Sequence, residues 1–170
     1  GGVLINQAPH HLDILQWLMG PVEEVIGRWA NLNHPYIEVE DTALAILKFG
    51  GGGLGSVTVS LSQNPGIHTK IHIHGSNGAS VGAQTDTGAT FIAGMTGVVE
   101  PPFTDLWTIP GEEQALEAFR QSDREQPDRY HLLQLHDFLR AVLEDRDLAV
   151  PGEEGRKVVA IIEAIYKSSQ

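Results

Sequence analysis

Runs of strand-forming residues joined by turns too short for a crossover constrain this chain most. Thr42 to Phe49 and Leu54 to Ser62 are separated only by Gly50-Gly51-Gly52-Gly53. Ile67 to His74 and Ala79 to Gln84 are separated only by Gly75-Ser76-Asn77-Gly78. Glycine and Asn-Gly supply the positive φ of tight hairpins. Parallel neighbours need a crossover of about a dozen residues or more, so these strands pair antiparallel. Val22 to Leu32, Thr90 to Met95 and Leu106 to Ile109 read as further strands.

The side-chain alternation separates two faces. Val57, Val59 and Leu61 point one way, and Ser56, Thr58, Ser60 and Ser62 the other. Ile67, Ile71 and Ile73 alternate with His68, Lys70, His72 and His74. One face is apolar and the other small and polar, as in an open antiparallel sheet with helices on one side.

Helical periodicity frames this region. Pro9 suits the start of a helix, where its missing N–H costs nothing, and Gly20-Pro21 ends it. Leu12, Leu15 and Met19 form its apolar stripe, with His10, Asp13 and Trp17 opposite, so both sides are expected to be buried. Glu112 to Arg120 is a modest helix candidate. Arg129 to Leu143 carries Leu132, Leu135, Leu139 and Val142 on one face. Glu154 to Lys167 carries Val158, Ile161, Ile162 and Ile165, with acidic residues at its start and a basic one at its end, as the helix dipole favours. The expected class is α+β: an open, mostly antiparallel sheet with helices packed on one face.

Length and charge narrow the roles. The 170 residues suit one domain over 1–170, with no repeat or linker. A formal charge of -11 repels phosphate backbones and anionic lipid, so nucleic acid and membrane are not expected partners. No cysteine is present, which excludes disulfides, thiol catalysis and zinc–thiolate sites. That fits a reducing, cytoplasmic setting. The chain opens Gly1-Gly2-Val3-Leu4 rather than with Met, which reads as a fragment or processed product.

Chemistry concentrates in Asn6-Gln7-Ala8-Pro9-His10-His11-Leu12-Asp13. A polar amide precedes a helix, an imidazole sits in its first turn, and a carboxylate follows three residues later on the same face. The positive end of a helix disfavours a protonated imidazole, and a neutral one accepts a proton from an alcohol. On residue type alone, a structural role for His10 is the commoner reading.

The segment Gly1-Gly2-Val3-Leu4-Ile5-Asn6-Gln7-Ala8-Pro9-His10-His11-Leu12-Asp13 resembles the Gfo/Idh/MocA oxidoreductase signature, a glycine-rich entry before an Asp/Asn-x-x-x-His-x-x-Asp helix. Glu40-Asp41-Thr42-Ala43 is similar to that family's start of the second sheet strand, His72 to Ala79 to its next strand and turn, and Gly152 to Lys157 to its closing helix. The resemblance covers nearly the whole chain and implies the C-terminal, substrate-binding and oligomerisation domain, with the Rossmann domain absent from this chain. It implies hydride transfer between a sugar, cyclitol or sugar-nucleotide carbinol and NAD or NADP, the cofactor being bound mainly by the missing domain. His10 matches the acid/base histidine. Asn6 matches a position usually held by Asp and is expected to orient the substrate together with Gln7, while Asp13 matches the acidic residue that follows the histidine, at the substrate site and supporting His10. The family's Glu-Lys-Pro lysine has no counterpart in this sequence, so the chain alone is expected to be inactive.

Two motifs are decoys. Gly50 to Gly55 satisfies G-x-G-x-x-G, but Ser56-Val57-Thr58-Val59 follows, and a dinucleotide fingerprint must open a helix. His68, His72 and His74 share one strand face, yet the neighbouring strand is expected to offer serines rather than metal ligands. No metal site is expected. The rival readings are a non-catalytic binding or assembly domain using the flat sheet face, and a metal-binding protein built on the strand histidines. The serine and histidine face has few Lys or Glu, which points to a homo-oligomer through that face.

Overall fold

The computed structural model describes residues 1–63, 69–84, 104–112, 114 and 129–170. They fall into two compact units. The first holds the described parts of Gly1–Ile67 and Gly152–Gln170, and the second those of His68–Gly88 and Gly97–Pro151.

In the first unit, helices α1 (Val3–Asn6) and α2 (Ala8–Met19) lead into strands β1 (Val22–Ala30), β2 (Thr42–Phe49) and β3 (Leu54–Ser60). The strands form an antiparallel sheet in the order β1-β2-β3. The glycine run is the β2–β3 hairpin, closed by Phe49 N–H donating to Gly53 O at 2.9 Å, with Gly52 at φ 84°. It opens no helix, as expected.

Ala43, Ala45, Leu47 and Phe49 of β2 are buried, while Leu44, Ile46 and Lys48 between them are exposed. The buried side is the core. Val158, Ile161, Ile162 and Ile165 of the closing helix pack there with Leu4, Ala8 and Leu12, and Leu15, Met19, Val57 and Val59 close the edges. Each Val, Leu, Ile or Phe side chain fully withdrawn from water there contributes roughly 1.5–3 kcal/mol. Gly27 of β1 permits the close approach of that helix: a Cβ there would lie 2.9 Å from Ile165 Cγ2.

In the second unit, β4 (Lys70–His74), β5 (Ser80–Gln84) and β6 (Thr104–Trp107) form a separate antiparallel sheet in the order β4-β5-β6. Gly78 at φ 85° turns the β4–β5 hairpin, and Ala79 N–H donates to Asn77 Oδ1 at 3.0 Å. Helix α3 (Arg129–Glu144) ends where Asp145 takes φ 50°. Helix α4 (Gly152–Ser168) is the closing helix of the first unit.

The α+β class therefore holds, with the described strands in two three-stranded sheets instead of one. The strand pattern specifies hairpins but not which hairpins join, so β4 pairs with β5 and not with the serine-bearing β3. Leu132, Leu135, Leu139 and Val142 of α3 are exposed, between 57% and 67%. Ile67, His68 and the strand expected over Thr90 to Met95 lie outside the described residues, as does most of the helix expected over Glu112 to Arg120.

Candidate functional site

The site is built on the first nineteen residues. Helix α1 turns on bonds from the N–H groups of Asn6 to Gly2 O at 3.0 Å and of Gln7 to Val3 O at 3.1 Å. Pro9 has no N–H to continue the ladder, so the helix breaks at Gln7, which keeps helical angles (φ -110°, ψ -38°). The two helices thus run on almost in phase. Asn6, His10, Asp13 and Trp17, spaced four, three and four residues apart, fall on one side.

That side is open. Asn6, Gln7 and His10 are exposed, Asp13 is half-buried and Trp17 is 78% exposed. The opposite side, with Leu4, Ala8 and Leu12, is core. The expectation of burial on both sides is therefore corrected: only the apolar stripe meets the sheet and α4. None of the side chains of Asn6, Gln7, His10 and Asp13 is hydrogen-bonded to another among the described residues. Gln7 contributes its carbonyl oxygen, 3.3 Å from His11 Nδ1. The structure thus places Asn6, His10 and Asp13 on one face without joining Asp13 to His10.

What fixes this segment is Glu40, the first of two adjacent buried acids between β1 and β2. Glu40 and Asp41 are 2% and 0% exposed. Glu40 Oε1 accepts from Leu4 N–H at 2.9 Å and from Tyr166 O–H at 2.8 Å, and its carbonyl oxygen accepts from Val3 N–H at 3.1 Å. A Cβ on Gly2 would lie 2.2 Å from Glu40 O, so only glycine fits beside it. Burial, then the hydrogen bond and negative charge of Glu40, push the Tyr166 hydroxyl above the usual tyrosine range.

Asp41 organises the preceding loop. Its oxygens accept from Leu32 N–H at 3.0 Å and Asn33 N–H at 2.8 Å, and His34 Nδ1 lies 2.8 Å away. Burial alone would raise its pKa, but these bonds outweigh burial and hold the carboxyl well below the usual range. Asn31 Nδ2 adds bonds to the carbonyl oxygens of His34, Ile37 and Val39. Sequence reasoning treated Glu40-Asp41 only as a strand start. The available signal was two adjacent carboxylates before an apolar strand, since acids drawn into a core must find donors.

On β4, His72 and His74 are exposed on one face with ring centroids 6.4 Å apart, and His74 Nδ1 lies 2.9 Å from Ser80 Oγ. Among the described residues no three His, Cys, Asp or Glu side chains converge on a metal position. No helix among them is long and apolar enough to cross a membrane.

Comparison with known proteins bears on the family and the fold. A family model described as "Oxidoreductase family, C-terminal alpha/beta domain" matches residues 1–170. Among solved structures, the chain is similar to the WlbA dehydrogenase from Bordetella pertussis in complex with NADH and UDP-GlcNAcA, at 28% identity and TM-score 0.71, covering 99% of this chain and 43% of that one. It is similar to the WlbA dehydrogenase from Chromobacterium violaceum, also with NADH and UDP-GlcNAcA, at 27% identity and TM-score 0.74, covering 99% and 44%. Levoglucosan dehydrogenase, in complex with NADH and L-sorbose, shares the fold at 20% identity and TM-score 0.65, covering 99% and 48%. No curated protein matches the chain significantly. The chain spans less than half the length of these solved structures. It belongs to the Gfo/Idh/MocA oxidoreductase family, whose C-terminal alpha/beta domain it forms.

Proposed function

We propose that this chain is the substrate-binding half of an NAD(P)-dependent dehydrogenase that acts on a carbinol of a sugar, cyclitol or sugar nucleotide. The observation that carries this reading is the open face of α1 and α2. An imidazole in the first turn of α2 shares that face with an amide one turn earlier and a carboxylate three residues later, while the opposite face is fixed in the core. His10 takes the hydroxyl proton on an imidazole nitrogen as the carbinol is oxidised, and returns it in reduction. Asn6 and Gln7 orient the substrate hydroxyls, and Asp13 lies on the same face as His10.

The nicotinamide, when bound, supplies the hydride acceptor. Among the described residues no strand, glycine loop and helix follow one another as a dinucleotide cradle requires. These residues therefore do not fit the cofactor's pyrophosphate. NAD or NADP is assigned to the length of the relatives that this chain does not span. UDP-GlcNAcA in the two WlbA structures favours a sugar nucleotide as substrate. A nicotinamide-dependent reaction without cysteines suits the cytoplasm.

Residues 1–170 also serve assembly in this reading. The outward face of the β1–β2–β3 sheet carries Ile26, Leu44, Ile46 and Leu54, exposed by 53% to 74%, beside Ser56 and Thr58. A second copy of the chain is the partner assigned to that face. His72 and His74, also expected on the assembly face, stand on the β4–β5–β6 sheet.

The test is NADH formation by the full-length protein with UDP-GlcNAcA, levoglucosan and L-sorbose in turn. Turnover of one of them that His10→Ala abolishes supports the reading. Turnover that His10→Ala leaves intact favours the alternative, a non-catalytic assembly domain.

A further inference from the structure

We infer that Glu40 and Tyr166 are the positioning pair that sets where the His10-bearing helix stands, an inference that rests on the role proposed for His10. Val3 and Leu4 are the first residues of α1, and their N–H groups have no partner within the helix. Both bond to Glu40, one to its carbonyl oxygen at 3.1 Å and one to its carboxylate at 2.9 Å. A buried carboxylate at a helix N-terminus meets the positive end of the peptide dipoles, so the contact is directional as well as strong. Asn6 closes this same turn, and His10 follows one turn later.

Glu40 is itself held from the far end of the chain. Tyr166, on α4, donates to the same Oε1 at 2.8 Å, and its ring meets Trp29 edge-on at 6.0 Å. The end of α4 is tied to β1 by bonds from Gly27 N–H to Ser168 Oγ at 2.9 Å and from Trp29 N–H to Ser169 Oγ at 3.2 Å. The acid/base helix is therefore registered against the sheet through one carboxylate and one phenol. Neither touches the open face, so both act through the helix. A displacement of about 1 Å at a reacting group costs up to about 100-fold in rate, and this is the scale on which the pair operates.

The test uses the full-length protein with Tyr166→Phe, Glu40→Gln and Glu40→Ala, assayed by NAD⁺ reduction with the fastest of the three substrates named above. Hydrogen exchange is followed in parallel over residues 1–12. Tyr166→Phe keeps the ring against Trp29 and so keeps the fold. It is expected to lower kcat by roughly 3- to 30-fold, within that range, with the KM for NAD⁺ unchanged and faster exchange in residues 1–12. Glu40→Gln, which keeps an acceptor oxygen, is expected to retain more kcat than Glu40→Ala. Wild-type exchange over residues 1–12 in Tyr166→Phe overturns the inference, as does wild-type kcat with only a lowered melting midpoint. His10→Ala, run alongside, separates the two readings. Full activity in that variant removes the proposed role of His10, while the exchange result still judges the pair.

Discussion

His34 Nδ1 lies 2.8 Å from Asp41 Oδ2, on a carboxylate whose side chain has no exposed surface. Burial opposes the charge on Asp41, and the donors from His34, Leu32 and Asn33 more than offset it, so the folded pKa is depressed below the ordinary 3.8. A depressed acid stabilises the fold above its unfolded pKa and loses that contribution as pH falls toward its folded value. Urea unfolding of Asp41→Asn is expected to show a lower midpoint than wild type at neutral pH. The gap should narrow as pH drops below about 4, the ordinary carboxylate value. A gap that stays constant down to pH 3 would assign the loss to packing and not to charge.

His10→Ala in the full-length protein is expected to lower kcat by about 10²–10⁴-fold, the usual contribution of an acid–base group, with cofactor affinity little changed. Asn6→Ala should cost less and chiefly raise the substrate KM. Steady-state kinetics with both substrates varied separates these effects. Losses under about threefold, far short of that range, would mean that His10 is merely adjacent to the chemistry.

Isolated, the 170-residue chain is expected to show no NADH binding in the micromolar range when titrated by fluorescence. The glycine run that imitates a fingerprint is held as a hairpin between β2 and β3, so its amides do not converge on a helix N-terminus. Saturable binding would relocate the cofactor site onto this chain.

The outward face of the first sheet gives an assembly prediction. Ile26 and Ile46 are register partners, and Ile46 faces Ser56, so one cross-strand row presents two isoleucines to solvent. Light scattering on the full-length protein should show an oligomer that Ile46→Lys with Thr58→Glu dissociates. An unchanged mass in that variant would place the interface elsewhere.

Gly27→Ala tests the approach of α4. Added to the backbone there, a Cβ meets Ile165 Cγ2 at 2.9 Å and Ile165 Cα at 3.3 Å. Overpacking costs typically about 1–3 kcal/mol, which exceeds the roughly 0.4–1 kcal/mol that replacing glycine returns through the unfolded chain. Chemical denaturation should therefore show a net loss, smaller when Ile165→Val is present.

Local signals were legible in the sequence. The glycine and Asn-Gly turns, the inward row Val158, Ile161, Ile162 and Ile165, and the Leu12 stripe all follow from neighbours a few positions apart, and each stands in the structure. Candidate residues His10 and Asp13 were placed on one face by spacing alone, and they share it; that Asn6 joins them follows from α1, a helical turn that the sequence did not announce. What escaped were relationships between distant residues. Nothing near Glu40 announces Leu4, 36 positions away, or Tyr166, 126 away. Separation of β3 from β4 into different sheets is likewise a choice among pairings that the alternation of each strand leaves equal. Helical period marks an apolar row on α3 but does not say what lies across from it, and Leu132 and Leu139 are exposed.

Ser168 and Ser169 have a consequence for the border of the first sheet. A border strand with bare amides is a template on which a neighbour's strand can add, copy after copy, without end. Two of the outward amides of β1 are spoken for by hydroxyls from its own last turn, and Arg28 reaches the Ser169 carbonyl at 2.6 Å. Lateral growth at that border would first have to displace Ser168 and Ser169 from it. An occupied border leaves the broad face of the sheet as the surface on which a second copy would meet it, and copies that meet about a two-fold axis close on themselves after one contact.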